Sequence, residues 1–159
     1  MIHIHLICLG KLKEKYWQAA ETEYLKRLSP YFNIQIHELK EESFGEKDSV
    51  EMIKEKEADK IERELEKIKS NYIIILDSAG SDFSSEKFAQ TFNNLTVEQF
   101  NHISFVIGGP LGLNKKILQK ANLKLSLSKM TFTHQMARVI LWEQIYRAAM
   151  INNGRKYHY

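Results

Sequence analysis

A glycine-rich run and a loop of small and polar residues are the parts of this sequence whose composition suits a small-molecule site. Residues 103–112 read ISFVIGGPLG, an apolar segment that runs directly into glycines. Residues 125–132 read LSLSKMTF, a second segment that ends in small, polar and apolar side chains. Glycine has no side chain, so a ligand can approach the main chain closely at such positions. Strands that end side by side here would form a pocket lined by backbone groups.

The glycine run does not match the established nucleotide-binding motifs. Pro110 stands where G-x-G-x-x-G needs its second glycine, and no acidic residue follows about 20 positions later to bind a ribose. The run also lacks the Gly-Lys-Ser/Thr ending of a P-loop. A dinucleotide oxidoreductase and an NTPase are therefore disfavoured. Taken alone, the run is also compatible with an ordinary tight turn.

Repeated strand and helix segments are predicted to position these loops. Apolar or alternating segments predict strands, and apolar residues at helical spacing predict helices. The strands are expected at 2–9, 32–39, 71–77, 102–109 and 123–128, and the helices at 13–28, from Asp48 or Ser49 to about Lys69, after Ser84, at 115–121 and at 134–151. This alternation predicts an α/β fold with a mostly parallel sheet and helices on both faces. Its ligand site would lie where the loops after three strands converge: the loop after Leu76, the glycine run and the SKMTF segment.

The last predicted helix, residues 134–151, is apolar on nearly every side. Met136, Ile140, Trp142 and Ile145 are among its apolar residues, and its few polar positions are scattered. A helix of this kind must be covered on more than one side. Its own sheet can cover one side, and we favour a second subunit of a symmetric homodimer for the other. Enclosure of the helix within one subunit is the alternative.

Composition predicts a cytosolic protein with a single domain over residues 1–159. Hydrophobic residues make up 43% of the chain, which is enough for a core. The single cysteine, Cys8, excludes an intrachain disulfide, and the N-terminus lacks the pattern of a signal peptide. No apolar run approaches the roughly 18 residues that span a bilayer, so no membrane association is expected.

Histidines and charged residues elsewhere give weaker signals. His3 and His5 share one strand face, but they lack partners at metal-ligand spacing, so exposed or capping histidines and no metal site are expected. The acids and lysines of the helix that ends near Lys69 are mixed in sign, which predicts a solvated face. We assign them no function.

The charge of the chain is unevenly distributed. Residues 111–159 contain nine Lys or Arg and one acid, a net charge of +8, whereas residues 1–110 contain fourteen basic and nineteen acidic residues, a net charge of −5. A basic C-terminal third favours contact with a polyanion such as a nucleic acid. A chance distribution of surface charge is the alternative.

Four separated blocks of the sequence resemble one known family. They are LICLGKLKEKYW at 6–17, FVIGGPLGL at 105–113, LSLSKMTFTHQMARVILWEQIYRA at 125–148 and RKYHY at 155–159. In this order and spacing they are similar to the small SPOUT-class ribosomal RNA methyltransferases. That bacterial single-domain family methylates N3 of a pseudouridine in 23S ribosomal RNA. The resemblance covers essentially the whole chain.

The resemblance implies a fold, a cofactor and partners. The C-terminal part would form a trefoil knot whose loops bind S-adenosylmethionine. The protein would act without a metal, as a homodimer, on 23S rRNA within the large subunit or the whole ribosome. Carried onto this chain, the cofactor contacts fall on Leu76, Gly108, Leu127, Ser128, Lys129, Met130, Thr131 and Phe132.

The reaction that the resemblance implies also suggests catalytic residues. N3 of pseudouridine carries a proton at neutral pH, so a base must accept it and a cation can stabilise the developing anion. His134 and Arg138 lie at i, i+4 beside the cofactor loop and are candidates. Tyr157 and His158 in the tail are further candidates, in their own or the partner subunit's site. Alternatively, His134 caps the helix and Arg138 pairs with a carboxylate or a phosphate.

Two other functions suit the same fold. One is a transfer-RNA methyltransferase of the SPOUT class, and the other is a non-catalytic RNA-binding protein that has kept the knot. The RKYHY tail favours the ribosomal family.

Overall fold

Strands and helices alternate along the whole chain, as predicted. The structure is a computed structural model that describes residues 1–157. Its elements are β1 (Ile2–Leu9), α1 (Lys15–Leu28), β2 (Phe32–Leu39), α2 (Val50–Glu66), β3 (Asn71–Asp82), α3 (Ser85–Val97), β4 (His102–Ile107), α4 (Lys115–Leu118), β5 (Leu123–Ser126) and α5 (His134–Asn152).

The five strands form one sheet in the order β2-β1-β4-β3-β5, and every neighbouring pair is parallel. The predicted α/β class with a parallel sheet is therefore confirmed. The strand β2 alternates apolar and polar residues because it lies at an edge of the sheet, whereas β4 is buried between two neighbours.

Helices cover both faces of the sheet. Side chains of α1, α3 and α5 pack on the face that carries Phe105, and side chains of α2 and α4 pack on the face that carries Val106. Adjacent residues of one strand point to opposite faces, so β4 contributes to both cores. Trp142 of α5 is fully enclosed in the larger core, which holds the last helix firmly against the sheet.

Side-chain caps fix where α2, α3, α4 and α5 begin, whereas α1 has no side-chain cap. Ser49, Ser84, Asn114 and Thr133 each accept a hydrogen bond from a backbone N–H of the first turn that follows. Ser49 rather than Asp48 is the cap of α2. Because Asn114 and Thr133 follow the glycine run and the SKMTF segment, the two caps end both loops at defined residues.

Strand β3 is interrupted by a bulge that the sequence did not predict. Leu76 and Ser81 both pair with Leu125, so residues 77–80 bulge out of the sheet before the strand resumes. A Cβ atom at Gly80 would lie 2.6 Å from the carbonyl oxygen of Lys124. Glycine is therefore needed where the strand returns to the sheet.

His5 is buried, so the expectation that it is exposed or a cap was wrong. It is 5% exposed, with Nδ1 lying 3.3 Å from Nε2 of His37 and Nε2 lying 3.1 Å from Nδ1 of His102. Nδ1 of His37 lies 3.3 Å from a carboxylate oxygen of Glu64. Because a carboxylate can only accept, we infer that donation runs from His102 through His5 and His37 to Glu64. The chain of rings links three strands to α2.

Residues 1–157 were compared with the side-chain clusters that hold metals and with the helices that span membranes. Within residues 1–157, no group of three or more His, Cys, Asp or Glu side chains is arranged to hold a metal ion. Over the same residues, no helix is both long and apolar enough to cross a membrane.

Candidate active site

Three strand ends converge on one pocket of about 740 Å³, as the sequence predicted. The loop after β3, the glycine run after β4 and the segment between β5 and α5 form its walls. The lining residues are Leu76, Asp77, Ser78, Ile107, Gly108, Gly109, Pro110, Gly112, Leu113, Leu118, Leu125, Leu127, Ser128, Met130, Thr131, Phe132, Thr133, His134, Gln135 and Ala137.

Most residues predicted to contact a cofactor line this pocket. They are Leu76, Gly108, Leu127, Ser128, Met130, Thr131 and Phe132. Lys129 is exposed and does not belong to the lining. Met130 is 76% exposed, so it offers free apolar surface at the mouth of the pocket.

Local contacts shape the two loops. A Cβ atom at Gly108 would lie 2.8 Å from the side chain of Leu113, so glycine at this position lets Leu113 pack into the wall. Gly112 has φ +80°, and its N–H donates to the carbonyl of Gly109. In the other loop, the Ser128 hydroxyl accepts a hydrogen bond of 3.0 Å from the N–H of Met130. The conformation of each loop is therefore fixed by contacts among its own residues.

His134 is the first residue of α5 and contributes to the pocket wall. Its Nε2 lies 3.7 Å from Oε1 of Glu41, and both atoms are enclosed without a hydrogen bond within residues 1–157. A side chain at Gly10 would collide with this carboxylate, so Gly10, with φ +88°, makes room for Glu41. The cap of α5 is Thr133, so the alternative that His134 caps the helix does not hold.

Arg138 does not line the pocket, although it lies one turn after His134. It is 4% exposed, and its Nε and NH2 groups donate to the two oxygens of Glu21 at 2.5 and 2.7 Å. NH1 donates to Glu38 at 2.8 Å. The indole N–H of Trp142 also donates to Glu21. Arg138 thus pairs with carboxylates, the alternative stated above, and joins α5 to α1 and β2.

The pKa values of Arg138 and of the neighbouring Cys8 are both raised. Burial alone would lower the pKa of Arg138, but the hydrogen bonds and charge of Glu21 outweigh it and hold that pKa above its usual range. Burial raises the pKa of the Cys8 thiol to about 11, although the neighbouring arginine acts in the opposite direction. Cys8 is therefore a protonated packing residue at neutral pH.

Tyr157, the last described residue of the tail, packs on α5 at a distance from the pocket. The ring of Tyr157 packs edge-on against Tyr146, with 4.8 Å between ring centroids, and its hydroxyl donates to Glu143 at 3.3 Å. Burial, with Tyr24 and Glu143, raises the pKa of Tyr157 to about 12. Tyr146 lies twelve residues after His134, which is about 18 Å along the helix axis. His158 lies outside the described residues.

Two acids that the sequence did not single out adjoin the pocket. Asp77 follows Leu76 directly and lines the wall. Glu57 of α2, expected on a solvated face, is 4% exposed and accepts a hydrogen bond from the N–H of Glu42. A Cβ atom at Gly109 would lie 3.6 Å from the Glu57 carboxylate, which therefore stands behind the glycine run. Burial raises the pKa of Glu57.

Ion pairs take up part of the C-terminal basic charge. Four basic residues pair with acids: Lys116, Lys120, Arg138 and Arg147. Five others are exposed and have no ion pair within residues 1–157: Lys115, Lys124, Lys129, Arg155 and Lys156. The surface available to a polyanion is thus smaller than the net charge suggests.

Comparison with known proteins identifies the family. The family model described as "Predicted SPOUT methyltransferase" matches residues 2–158. The chain is 50% identical over 162 residues to the ribosomal RNA large subunit methyltransferase H of Clostridium novyi (strain NT), covering 99% of each chain. The protein of the same name from Clostridioides difficile (strain 630) is 47% identical over 161 residues, again with 99% of each chain covered. The one from Streptococcus uberis is 45% identical over 159 residues, with 98% of each covered. The chain therefore belongs to the SPOUT methyltransferase family, among relatives named ribosomal RNA large subunit methyltransferase H.

Proposed function

We propose that this single-domain protein transfers a methyl group from S-adenosylmethionine to N3 of a pseudouridine in 23S ribosomal RNA. The observation that carries the proposal is the convergence of three strand ends on one pocket, whose lining includes seven of the eight predicted cofactor residues. SPOUT methyltransferases use S-adenosylmethionine, and the family implies a C-terminal trefoil knot. The names of the relatives supply the class of RNA.

The pocket residues fit this cofactor. A pocket of about 740 Å³ lies within the range that small-molecule sites occupy. Leu76, Met130 and Phe132 can flank the adenine, while main-chain groups of the loop read its edge. When bound, S-adenosylmethionine supplies an electrophilic methyl group. The protein contributes chiefly by holding the acceptor nitrogen in line with that group.

His134 is our candidate for the base that removes the N3 proton. The side chain reaches the pocket, and its Nε2 faces Glu41 at 3.7 Å. In this proposal Nε2 keeps its proton beside the Glu41 carboxylate, so Nδ1 has the lone pair that accepts the N3 proton. Replacement of His134 by Asn should lower single-turnover methyl transfer and leave cofactor affinity nearly unchanged. Transfer at the wild-type rate would remove His134 from the mechanism.

Arg138 acts in this proposal as a positioning residue. A contact between its guanidinium and the RNA would require the ion pairs with Glu21 and Glu38 to break. Intact, these pairs hold the first turn of α5, and with it His134, against the edge of the sheet. The cation that stabilises the developing anion must then come from another residue.

The tail supports a homodimer. Tyr157 packs on Tyr146, which lies about 18 Å along α5 from His134 of the same subunit. We therefore assign any catalytic role of Tyr157 or His158 to the pocket of the partner subunit. Val139 and Ile140 of α5 are only partly buried in one subunit, which leaves apolar surface for a partner. A monomer in sedimentation experiments that is active on RNA would argue against this arrangement.

RNA binding is assigned to the exposed basic residues around the pocket mouth. Lys129 adjoins two lining residues, and Lys115 and Lys124 lie on the elements that flank the loops. Phosphate contacts make affinity strongly dependent on salt, so replacement of Lys129 by Gln should reduce the salt slope by about one. Lys116→Gln is the matched control, because Lys116 is paired with Asp59 and Glu62. An unchanged slope in Lys129→Gln would contradict the assignment.

The ribosomal enzyme, the transfer-RNA enzyme and the non-catalytic RNA-binding protein differ in the RNA that they methylate, if any. We propose that the enzyme works in the cytoplasm, on the large subunit or the whole ribosome. Labelled methyl transfer should be measured on ribosomes and on transfer RNA in parallel. Label on transfer RNA alone would favour the transfer-RNA enzyme. Failure to bind S-adenosylmethionine would favour the non-catalytic RNA-binding protein.

A further inference from the structure

We propose that Asp77 makes the pocket select the charged methyl donor over its neutral product. The inference rests on the proposed function, because it takes S-adenosylmethionine as the ligand of this pocket. Asp77 is the one carboxylate in the pocket lining formed by residues 1–157, and that lining includes no lysine or arginine. Glu57 stands behind the glycine run and Glu41 behind His134, so Asp77 is the carboxylate that belongs to the wall itself.

The bulge of β3 holds Asp77 in place. Residues 77–80 leave the sheet between Leu76 and Ser81, and Gly80 permits the return. Oδ1 of Asp77 accepts a hydrogen bond of 3.0 Å from the N–H of Ala79. Oδ2 has no hydrogen-bond partner within the described chain. One oxygen thus fixes the side chain, and the other is available to the ligand.

The chemistry of the ligand pair suits such a group. The donor carries a sulfonium, an ammonium and a carboxylate, a net charge of +1. The product carries a thioether in place of the sulfonium and has no net charge. In this proposal the sulfonium of the bound donor faces the Asp77 carboxylate, which favours the donor and gives the product no equivalent gain. Asp77 would then favour donor binding and product release together.

Two other roles for Asp77 make different predictions. If the carboxylate accepts hydrogen bonds from ribose hydroxyls, it contributes equally to donor and product, since both contain the ribose. If it only stabilises the bulge through Ala79, it contributes equally to every ligand of the pocket. Selectivity between donor and product separates the charge role from both.

The test is calorimetric titration of wild type and Asp77→Asn with three ligands. These are S-adenosylmethionine, S-adenosylhomocysteine and 5′-methylthioadenosine, which lacks the sulfonium and the amino acid group. Asn keeps the size of the side chain and the acceptor for Ala79 but removes the charge. We expect affinity for the donor to fall about tenfold, while affinity for the two neutral ligands changes less than about twofold.

Asp82→Asn is the matched control, since Asp82 lies on the same strand, is exposed and is not part of the lining. It should leave all three affinities unchanged. Equal losses for the three ligands in Asp77→Asn, or an unchanged ratio of donor to product affinity, would overturn the inference and leave the proposed function intact. A wild-type protein that does not bind the donor would overturn both.

Discussion

Acid should destabilise this protein through His5. Burial, followed by the neighbouring His37 and His102, lowers the pKa of His5 from 6.5 to about 4. The unfolded chain therefore takes up a proton between these pH values that the folded chain does not. Stability from this group is fully present above pH 6.5 and is lost progressively as the pH falls toward 4.

The size of the effect follows from that difference. Each pH unit between the unfolded and folded pKa values changes the free energy of unfolding by about 1.4 kcal/mol. The interval from 6.5 to about 4 therefore corresponds to about 3 kcal/mol for His5. This is a large part of the roughly 5–15 kcal/mol by which folded domains are typically stable.

Urea titrations between pH 7.5 and 4.5, followed by circular dichroism, measure this directly. His5→Leu removes the titrating group, so between pH 7.5 and 4.5 the difference in unfolding free energy between variant and wild type should shift in favour of the variant by about 2–3 kcal/mol. His3→Leu is the control, because His3 lies on the same strand but stacks on His102 without a hydrogen bond to His5, and its charge is the smallest of the causes that lower the pKa of His5. Parallel pH curves for wild type and His5→Leu would refute the reasoning.

Three further predictions concern the interior and the bulge. Arg138→Met should lower the free energy of unfolding, measured by urea titration, by about 3–5 kcal/mol, because it leaves the buried carboxylate of Glu21 unpaired. A loss below about 1 kcal/mol would count against a structural role for the Arg138 ion pairs. Glu57→Gln should stabilise the protein at neutral pH, since burial raises the pKa of Glu57, and the gain should vanish below pH 4.5; no gain at pH 7 would contradict this. Gly80→Ala should weaken cofactor binding in calorimetry by forcing a Cβ atom against Lys124, whereas Gly45→Ala, with its nearest neighbour at 3.7 Å, should not; equal affinities would refute the role of the bulge.

Local sequence patterns were enough to predict most elements of the fold. Alternation in β2 and the continuous apolar run of β4 reflect their places at the edge and centre of the sheet. Asn114 and Ser84 were recognisable as caps because capping depends on residues a few positions away. The bulge was not predictable, because it depends on the contact between Gly80 and Lys124, which are distant in sequence.

The candidate site was predictable as a set of loops but not in its charged contacts. Helical spacing placed Arg138 beside His134, but it gave no sign of the ion pair with Glu21, 117 residues away. Equally, the mixed charges of α2 gave no sign that Glu57 is buried, because its burial depends on packing behind Gly109. Such pairings are decided by the tertiary arrangement, where burial and a partner's charge override local pattern.

The proposed function stands or falls on the transfer of labelled methyl to ribosomes that lack the modification, followed by mapping of the labelled nucleotide. We expect label at N3 of a pseudouridine in 23S ribosomal RNA, dependent on S-adenosylmethionine. Transfer should fall in His134→Asn and persist in Lys116→Gln. Label at another position or on transfer RNA alone, or no transfer by a protein that binds the cofactor, would contradict it.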